Sequence, residues 1–534
     1  MAVASRDQPM SGRVLAGFGL WLAAGSFFVL TGAGHSTSVD GMLVLLGARE
    51  LLETGRPVVP EVPHTEGHRR IGRDGNWYPK FGPGLMIAHL PALLLARAGD
   101  PLRVDVSGAS DPDLRRDEFY AQLTNAWIGA STITCIFLCA LLLGYGSGPA
   151  LAACLVAALA SPLWTYAHVD STESLQALSL IGAFTALAAA ARSPRPVSPS
   201  VVAGSLLGLA VAAKVANAVL VPWFLVFALL ASRPGSRART FIACLVPLAV
   251  IAVLLALYNF WRFGGWLDTG YDLERERFDR SILVGLAVLV ASPQFGLVAF
   301  FPSILPAAAG FAETLRRHPR EGLLALAVAG TLLLVYARWW AFWGMNWGPR
   351  FLVPAIPLTV LFLLPLLERR SRFMTAAIVL TALAGFAVQL QSVSVSFFPQ
   401  VWVAYEELGF GDREGLVRDP RLAPLRVGLW WSALAFARAR DPGAVAERVA
   451  ASPWRDSHPW RDPARAVTRL PEFAGFDFWV APAEWRRDYV SIWPFGETAA
   501  KATSARLRLI AIVSLLLGVA IVVGGRAKPR AGPR

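Results

Sequence analysis

One isolated carboxylate, a lysine ahead of a rigid turn, and arginines set among tryptophans are the residues of this sequence with chemistry to offer. Asp40 lies in Gly34-His35-Ser36-Thr37-Ser38-Val39-Asp40-Gly41, just past the first apolar run. A carboxylate facing a cavity serves as a general base, taking the proton of an acceptor hydroxyl as its oxygen attacks. The same position also suits an N-cap for a helix over 41–53. Lys80 closes Asp74-Gly75-Asn76-Trp77-Tyr78-Pro79-Lys80 and is followed by Phe81-Gly82-Pro83-Gly84, a stretch stiffened by Gly and Pro. At that depth an ammonium pairs with a lipid phosphate or snorkels to the interface.

The densest stretch is Tyr336-Ala337-Arg338-Trp339-Trp340-Ala341-Phe342-Trp343-Gly344-Met345-Asn346-Trp347-Gly348-Pro349-Arg350. An aromatic belt at a membrane interface explains part of it. Flat rings also suit sugar faces, and a guanidinium suits a phosphate. Arg338 and Arg350 are therefore candidates for a phosphate, and Trp343, Asn346 and Trp347, with Tyr78, for sugar or acceptor. Arg262 again ends an apolar run, in Tyr258-Asn259-Phe260-Trp261-Arg262-Phe263-Gly264-Gly265. Ser161-Pro162-Leu163-Trp164-Thr165-Tyr166-Ala167-His168-Val169-Asp170 adds His168, and Glu173 follows. Lys214 sits between two short apolar runs, which calls for a polar cavity or an outer hairpin, because a charge at mid-membrane costs about 2.5–3.5 kcal/mol on insertion scales. His64 and His68, with Glu61 and Glu66, read as loop residues sooner than metal ligands. No metal or other cofactor is expected.

These residues hang on a chain built for lipid. Of its 534 residues 55% are hydrophobic and 16% charged, and the apolar ones gather in long runs. Runs of about 20 residues match a helix crossing the hydrocarbon layer, where every backbone group must be satisfied within the segment. Spanning helices are expected near 13–33, 121–144, 149–166, 173–191, 199–213, 215–231, 240–259, 295–312, 321–337, 351–367, 374–396 and 507–525. The chain thus reads as an all-α polytopic membrane protein of about twelve spans.

The net charge of +13 does not call for nucleic acid. Its arginines sit in short loops: Arg192 and Arg195; Arg233, Arg237 and Arg239; Arg316, Arg317 and Arg320; Arg369, Arg370 and Arg372. Short basic loops mark the cytoplasmic face, and with the N-terminus inside all of them fall there. The segment 81–98, with Pro83, His89 and Pro91, is read as a surface helix, since a span there would reverse every later loop. Residues 34–120 then form one long extracytoplasmic loop, and 281–294 a re-entrant piece. A bundle over 1–396, a Trp-rich extracytoplasmic domain over 397–505 and a last helix with basic tail over 506–534 complete the expected organisation. Cys135, Cys139, Cys154 and Cys244 fall in apolar runs and read as small apolar residues. The first apolar run carries no small-residue cleavage site and reads as a retained helix.

The order of these elements resembles the bacterial branch of the GT-C glycosyltransferases, which includes protein O-mannosyltransferases and lipid A aminoarabinose transferases. Asp40 with Gly47-Ala48-Arg49-Glu50-Leu51-Leu52-Glu53-Thr54-Gly55 carries the resemblance, as do 74–84, Ser161-Pro162-Leu163 with Glu173, and Trp347-Gly348-Pro349-Arg350-Phe351-Leu352. The resemblance implies a GT-C-like fold, with Asp40 as base and Lys80 on the phosphate of a polyprenyl-phosphate sugar. It implies a bacterial cytoplasmic membrane, with the site facing the periplasm or the exterior. The acceptor would be a hydroxyl of a glycan, lipid or protein. Many relatives carry two adjacent acids at the first position, whereas Gly41 follows Asp40 here. In the implied reaction Lys80, Arg350 and Arg262 or Arg338 neutralise the leaving phosphate, and one displacement inverts the anomeric carbon. The rival reading, a transporter or lipid flippase, requires broken helices in paired positions at mid-membrane. Here the polar residues crowd one face.

Overall fold

The computed structural model describes residues 10–61, 67–272, 276–340, 346–397, 423–441, 443–450, 475–486, 489–490, 498–499 and 501–524. Among the described residues, eight helical segments are long and apolar enough to cross a membrane. They are α1 (Met10–Leu30), α4 (Pro112–Leu142), α7 (Thr172–Arg192), α10 (Arg237–Phe263), α14 (Pro319–Arg338), the run Arg350–Arg369, α17 (Arg372–Ser394) and the final helix Ala505–Gly524. Between them lie shorter apolar helices, among them α5 (Ser147–Leu159), α8 (Val197–Ala213), the run Val215–Ala231 and α11 (Ile282–Ala291).

Local chemistry explains where the helices depart from the expected ranges. α4 begins at Pro112, ahead of the expected 121, because Asp111 accepts from the Leu114 amide at 2.9 Å and Pro112 fits the first turn. The expected span 149–166 stops at Leu159. Pro162 cannot continue the hydrogen-bond ladder, and only the single turn Leu163–Tyr166 follows. The span expected over 295–312 is likewise cut between Leu297–Phe300 and α13 (Ile304–Arg317), at Pro302. The run Arg350–Arg369 alternates 3-10 and α turns around Pro354, Pro357 and Pro365.

Ion pairs tie the arginine loops together at one end of the bundle. Arg192 meets Glu321 at 2.7 Å, Arg369 meets Glu313 at 2.8 Å, and Arg317 pairs with Glu368. α8 leaves that end and runs parallel to α10. A Cβ at Gly204 would lie 1.9 Å from the Cys244 carbonyl oxygen and one at Gly208 2.5 Å from Ile251, so small residues set this close crossing. Two parallel helices joined by Val215–Ala231 require that run to return between them. Lys214 therefore stands at the end opposite the arginine loops.

That opposite end is covered by α2 (Val39–Thr54), a hairpin of β1 (Arg69–Ile71) and β2 (Trp77–Pro79), and α3 (Gly84–Arg97). The strands pair antiparallel with Arg70 opposite Tyr78. Met42, Leu45, Leu85, Leu93 and Leu175 form a core that fastens α2 and α3 onto the bundle. Within 81–98, α3 is a short helix of 14 residues with Pro91 inside it.

Ser38, and not Asp40, caps α2: its hydroxyl accepts from the Gly41 amide at 2.9 Å. Pieces of the 397–505 region pack directly on the bundle. The helix Pro424–Arg440 lies along α17, with Gln391 Nε2 donating to the Leu425 carbonyl at 2.8 Å. Trp479 donates through its amide to Gly32 O at 2.9 Å and through its indole to Val29 O at 2.8 Å. Trp454 and Trp460 lie outside the described residues.

Candidate active site

The N-terminal turn of α2 presents Asp40 to a ring of charged and aromatic groups. Its Oδ1 lies 2.7 Å from His68 Nδ1, and its Oδ2 accepts from Arg350 Nη2 at 3.0 Å. Every nitrogen of Arg350 is engaged, using three of its five N–H donors. Nε donates to Glu173 Oε1 at 2.9 Å and Nη1 to Asn346 Oδ1 at 3.3 Å. Glu173 Oε1 also lies 3.8 Å from Lys214 Nζ. Lys80 Nζ reaches Glu276 Oε1 at 3.5 Å and sits 5.0 Å from the centre of the Tyr271 ring. Glu276 Oε2 in turn accepts from the Trp339 indole at 2.8 Å. The contacts form one chain, from His68 through Asp40, Arg350 and Glu173 to Lys214, with Trp339, Glu276 and Lys80 continuing it.

The side chains of Asp40, Arg350 and Lys80 keep 20%, 15% and 18% of their surface open, so the ring is entered from outside. Burial alone would push the Asp40 carboxyl up. His68, Arg350 and Lys80 override that and hold it well below the usual carboxylate range. So held, Asp40 is a stable anion and a weak base.

The loop ahead of Asp40 is shaped by a second acid. Asp170 accepts from the Thr37 amide at 3.3 Å, from Ser38 Oγ at 3.2 Å and from Ser36 Oγ. Burial pushes its carboxyl up to about 6, with the same hydrogen bonds pulling it back. A Cβ on residue 41 would fall 2.0 Å from Asp170 Cγ. Glycine after Asp40 thus makes room for an acid arriving from the α6–α7 connection, where α6 is the turn Leu163–Tyr166.

The ring brings together Asp40, Lys80, Arg350, Asn346 and Glu173 of the residues singled out in the sequence. It does not include Arg262. That guanidinium is buried at 1% exposure, donates to the Pro79 carbonyl at 2.8 Å and to Asn259 Oδ1 at 3.1 Å, and stacks 3.9 Å from the Tyr258 ring. It locks the β-hairpin onto the end of α10, and its Nε is buried as well. Arg338 turns to the Phe278 carbonyl, with Nη2 at 2.9 Å. His168 is buried against Thr31 Oγ1 at 3.0 Å and the Phe28 ring, and burial pulls its imidazole down to about 3. Tyr78 is buried and donates to Asp74 Oδ2 at 2.8 Å, so it braces the hairpin turn. Trp347 is buried with its indole on Gln389 Oε1 at 3.2 Å. Trp343 lies outside the described residues, as do His64 and Glu66. His68 is engaged by Asp40, and among the described residues no group of three His, Cys, Asp or Glu is placed to hold a metal.

Residue types alone did not mark Glu276, Tyr271 or Trp339 as members of the ring. Lys214 carried a signal, a charge between apolar runs, and Gly41 carried a fainter one, a missing side chain beside the key acid.

The structure is similar to ArnT from Cupriavidus metallidurans in the apo state, with a TM-score of 0.48 and 15% sequence identity over 94% of this chain and 74% of that one. It is similar to the same protein bound to undecaprenyl phosphate, at 0.46 and 16% identity over 81% of both chains. The apo oligosaccharyltransferase of Archaeoglobus fulgidus is similar at 0.44 and 13% identity, covering 83% of this chain and 59% of its own. No protein-family model and no curated protein matches the sequence.

Proposed function

We propose that this chain is a membrane glycosyltransferase that moves a sugar from a polyprenyl-phosphate donor to an acceptor hydroxyl at the end of the bundle bearing Asp40. The observation that carries the reading is the ring itself. An ionised carboxylate meets Arg350 at 3.0 Å, with Lys80 close enough to help hold it ionised, at the mouth of a bundle of apolar helices. A lipid phosphate arriving from the bilayer meets Lys80 and Arg350 together. Drawing those cations to the phosphate relieves the field that weakens Asp40 as a base. Donor binding therefore raises the basicity of Asp40 at the moment it is needed.

The acceptor oxygen then attacks the anomeric carbon as its proton passes to Asp40, and the sugar–phosphate bond breaks toward the cations. One displacement inverts the centre, and a second carboxylate nucleophile is not required. Glu173 and Asn346, fixed by Arg350, line the side of the ring where sugar or acceptor hydroxyls bind. The site is assigned to the extracytoplasmic face of a bacterial cytoplasmic membrane.

The test uses purified protein in lipid nanodiscs with labelled polyprenyl-phosphate sugars and a membrane-extract acceptor. Release of polyprenyl phosphate is expected from wild type and lost in Asp40→Asn and Lys80→Ala. Full turnover by Asp40→Asn removes the base from Asp40, and absence of any sugar-lipid binding moves the transporter reading ahead.

A further inference from the structure

Lys214 belongs to the ring yet has no assigned task. It ends α8 with an extended backbone, φ −154° and ψ 118°, and is followed by the 3-10 turn Val215–Leu220. The tip of a hairpin thus delivers it to the Asp40 end of the bundle. Its ammonium lies 4.1 Å from the centre of the Phe351 ring, 5.5 Å from Tyr336 and 5.9 Å from Trp339. Three aromatic faces hold the cation in place without using its N–H donors.

Lys214 forms an ion pair with Glu173, but one without a hydrogen bond. Arg350 already donates to Glu173 Oε1 at 2.9 Å, while Lys214 Nζ stands 3.8 Å from the same oxygen, beyond hydrogen-bond length. Among the described residues the ammonium makes no hydrogen bond. A largely buried ammonium, 14% exposed, whose N–H donors make no hydrogen bond among the described residues has donors to offer a second anion beside Glu173.

We infer that Lys214 is a phosphate-binding residue, placed to hold the donor's phosphate together with Lys80 and Arg350 and to remain on it as it leaves. The inference rests on the donor reading given above. In the transfer, the bond from the anomeric carbon to the phosphate-ester oxygen breaks with its electron pair going to that oxygen. The acceptor oxygen bonds to the carbon, and its proton goes to the Asp40 carboxylate. Negative charge therefore leaves Asp40 and accumulates on the phosphate, which changes from diester monoanion to monoester dianion. A preorganised cation on the phosphate side acts where that charge develops.

Burial pulls the Lys214 ammonium down to about 8, opposed by Glu173 and assisted by Arg350; Asp40 and Lys80 contribute from farther off, and Tyr336 packs against it from α14. The sign follows. A lysine lowered in this way is charged below about 8 and neutral above it, so phosphate affinity falls as pH rises through that value. A phosphate monoester is already dianionic above about pH 7, so its own ionisation adds nothing to that limb.

Undecaprenyl phosphate is the probe, with undecaprenol as control, titrated into the full-length protein in nanodiscs from pH 7 to 9.5. Wild type is expected to prefer the phosphate and to lose affinity above pH 8, while undecaprenol binding stays flat. Lys214→Met should weaken phosphate binding at pH 7 by tenfold or more and abolish the alkaline limb. Lys214→Arg should keep the affinity and move the limb beyond pH 9. Wild-type affinity that is flat from pH 7 to 9.5, a result that needs no variant, overturns the inference, as does unchanged binding by Lys214→Met. Equal binding of alcohol and phosphate by wild type instead overturns the donor reading on which it rests.

Discussion

At the residue scale, the site is governed by how few charges lipid tolerates and how fully each is spent. Arg350 serves three partners at once, and one of them, Glu173, is only 1% exposed. Arg350→Met leaves that carboxylate facing Lys214 alone, at 3.8 Å. Breaking one side of a buried pair costs about 3–5 kcal/mol. The thermal midpoint in detergent should drop accordingly, and adding Glu173→Gln should restore most of it. If the double variant is no more stable than the single one, the pair is not what holds this part of the ring. A second prediction concerns Gly41. Gly41→Ala drives a methyl into the Asp170 carboxyl and should lower both stability and turnover, whereas a residue needed only for flexibility would tolerate alanine in a helix. Asp40, Lys80, Glu173, Asn346 and Arg350 were legible in the sequence because each is polar at the edge of an apolar run. The same rule also picked out Arg262 and His168, which the structure places against Pro79 O and Thr31, away from the ring. A polar side chain at a helix end can close a joint as readily as face a ligand, and only the position of Pro79 O or Thr31 decides which.

At the element scale, the loop that carries Asp40 is held from behind by the region after α17. His35 Nε2 lies 3.2 Å from Asp477 Oδ1, and Lys501 Nζ donates to the same oxygen at 2.8 Å. Ser36, the next residue, is bonded to Asp170, and Asp170 sets the turn before Asp40. Asp477 and Lys501 are thus coupled to the candidate base through a short chain of buried polar contacts. Asp477→Ala removes the carboxylate from a lysine side chain only 2% exposed and should cost several kcal/mol. Hydrogen exchange should rise over residues 32–38 while the arginine-loop end stays protected. Equal exchange at both ends would mean that the region only caps the bundle. None of this coupling was readable beforehand. Long apolar runs announce helices by length alone, but pairing across more than 400 residues leaves no local period. The helix breaks at Pro162 and Pro302 were visible as prolines, yet inside runs otherwise apolar enough to hide them.

At the scale of the whole molecule, charge is sorted between two ends. Arginine loops joined by Arg192–Glu321 and Arg369–Glu313 occupy one, and the ring around Asp40 the other. That sorting is what a polyprenyl-phosphate transferase acting outside the cytoplasm requires, since its phosphate must meet cations on the face away from the basic loops. Single cysteines test it directly. Cys139, Cys154 and Cys244 are buried, and Cys135 lies within α4, so labelling by a membrane-impermeant maleimide should come from introduced thiols. Ser107→Cys lies on the exposed loop before α4, and Pro194→Cys lies exposed beside Arg192. The first should label in intact cells and the second only after permeabilisation. The reverse pattern would put Asp40, Lys80 and Lys214 in the cytoplasm. Nucleotide-sugar donors would then become as accessible as lipid-linked ones, and a phosphate-binding ring would no longer favour a polyprenyl donor. Orientation therefore decides the donor class before any sugar is known.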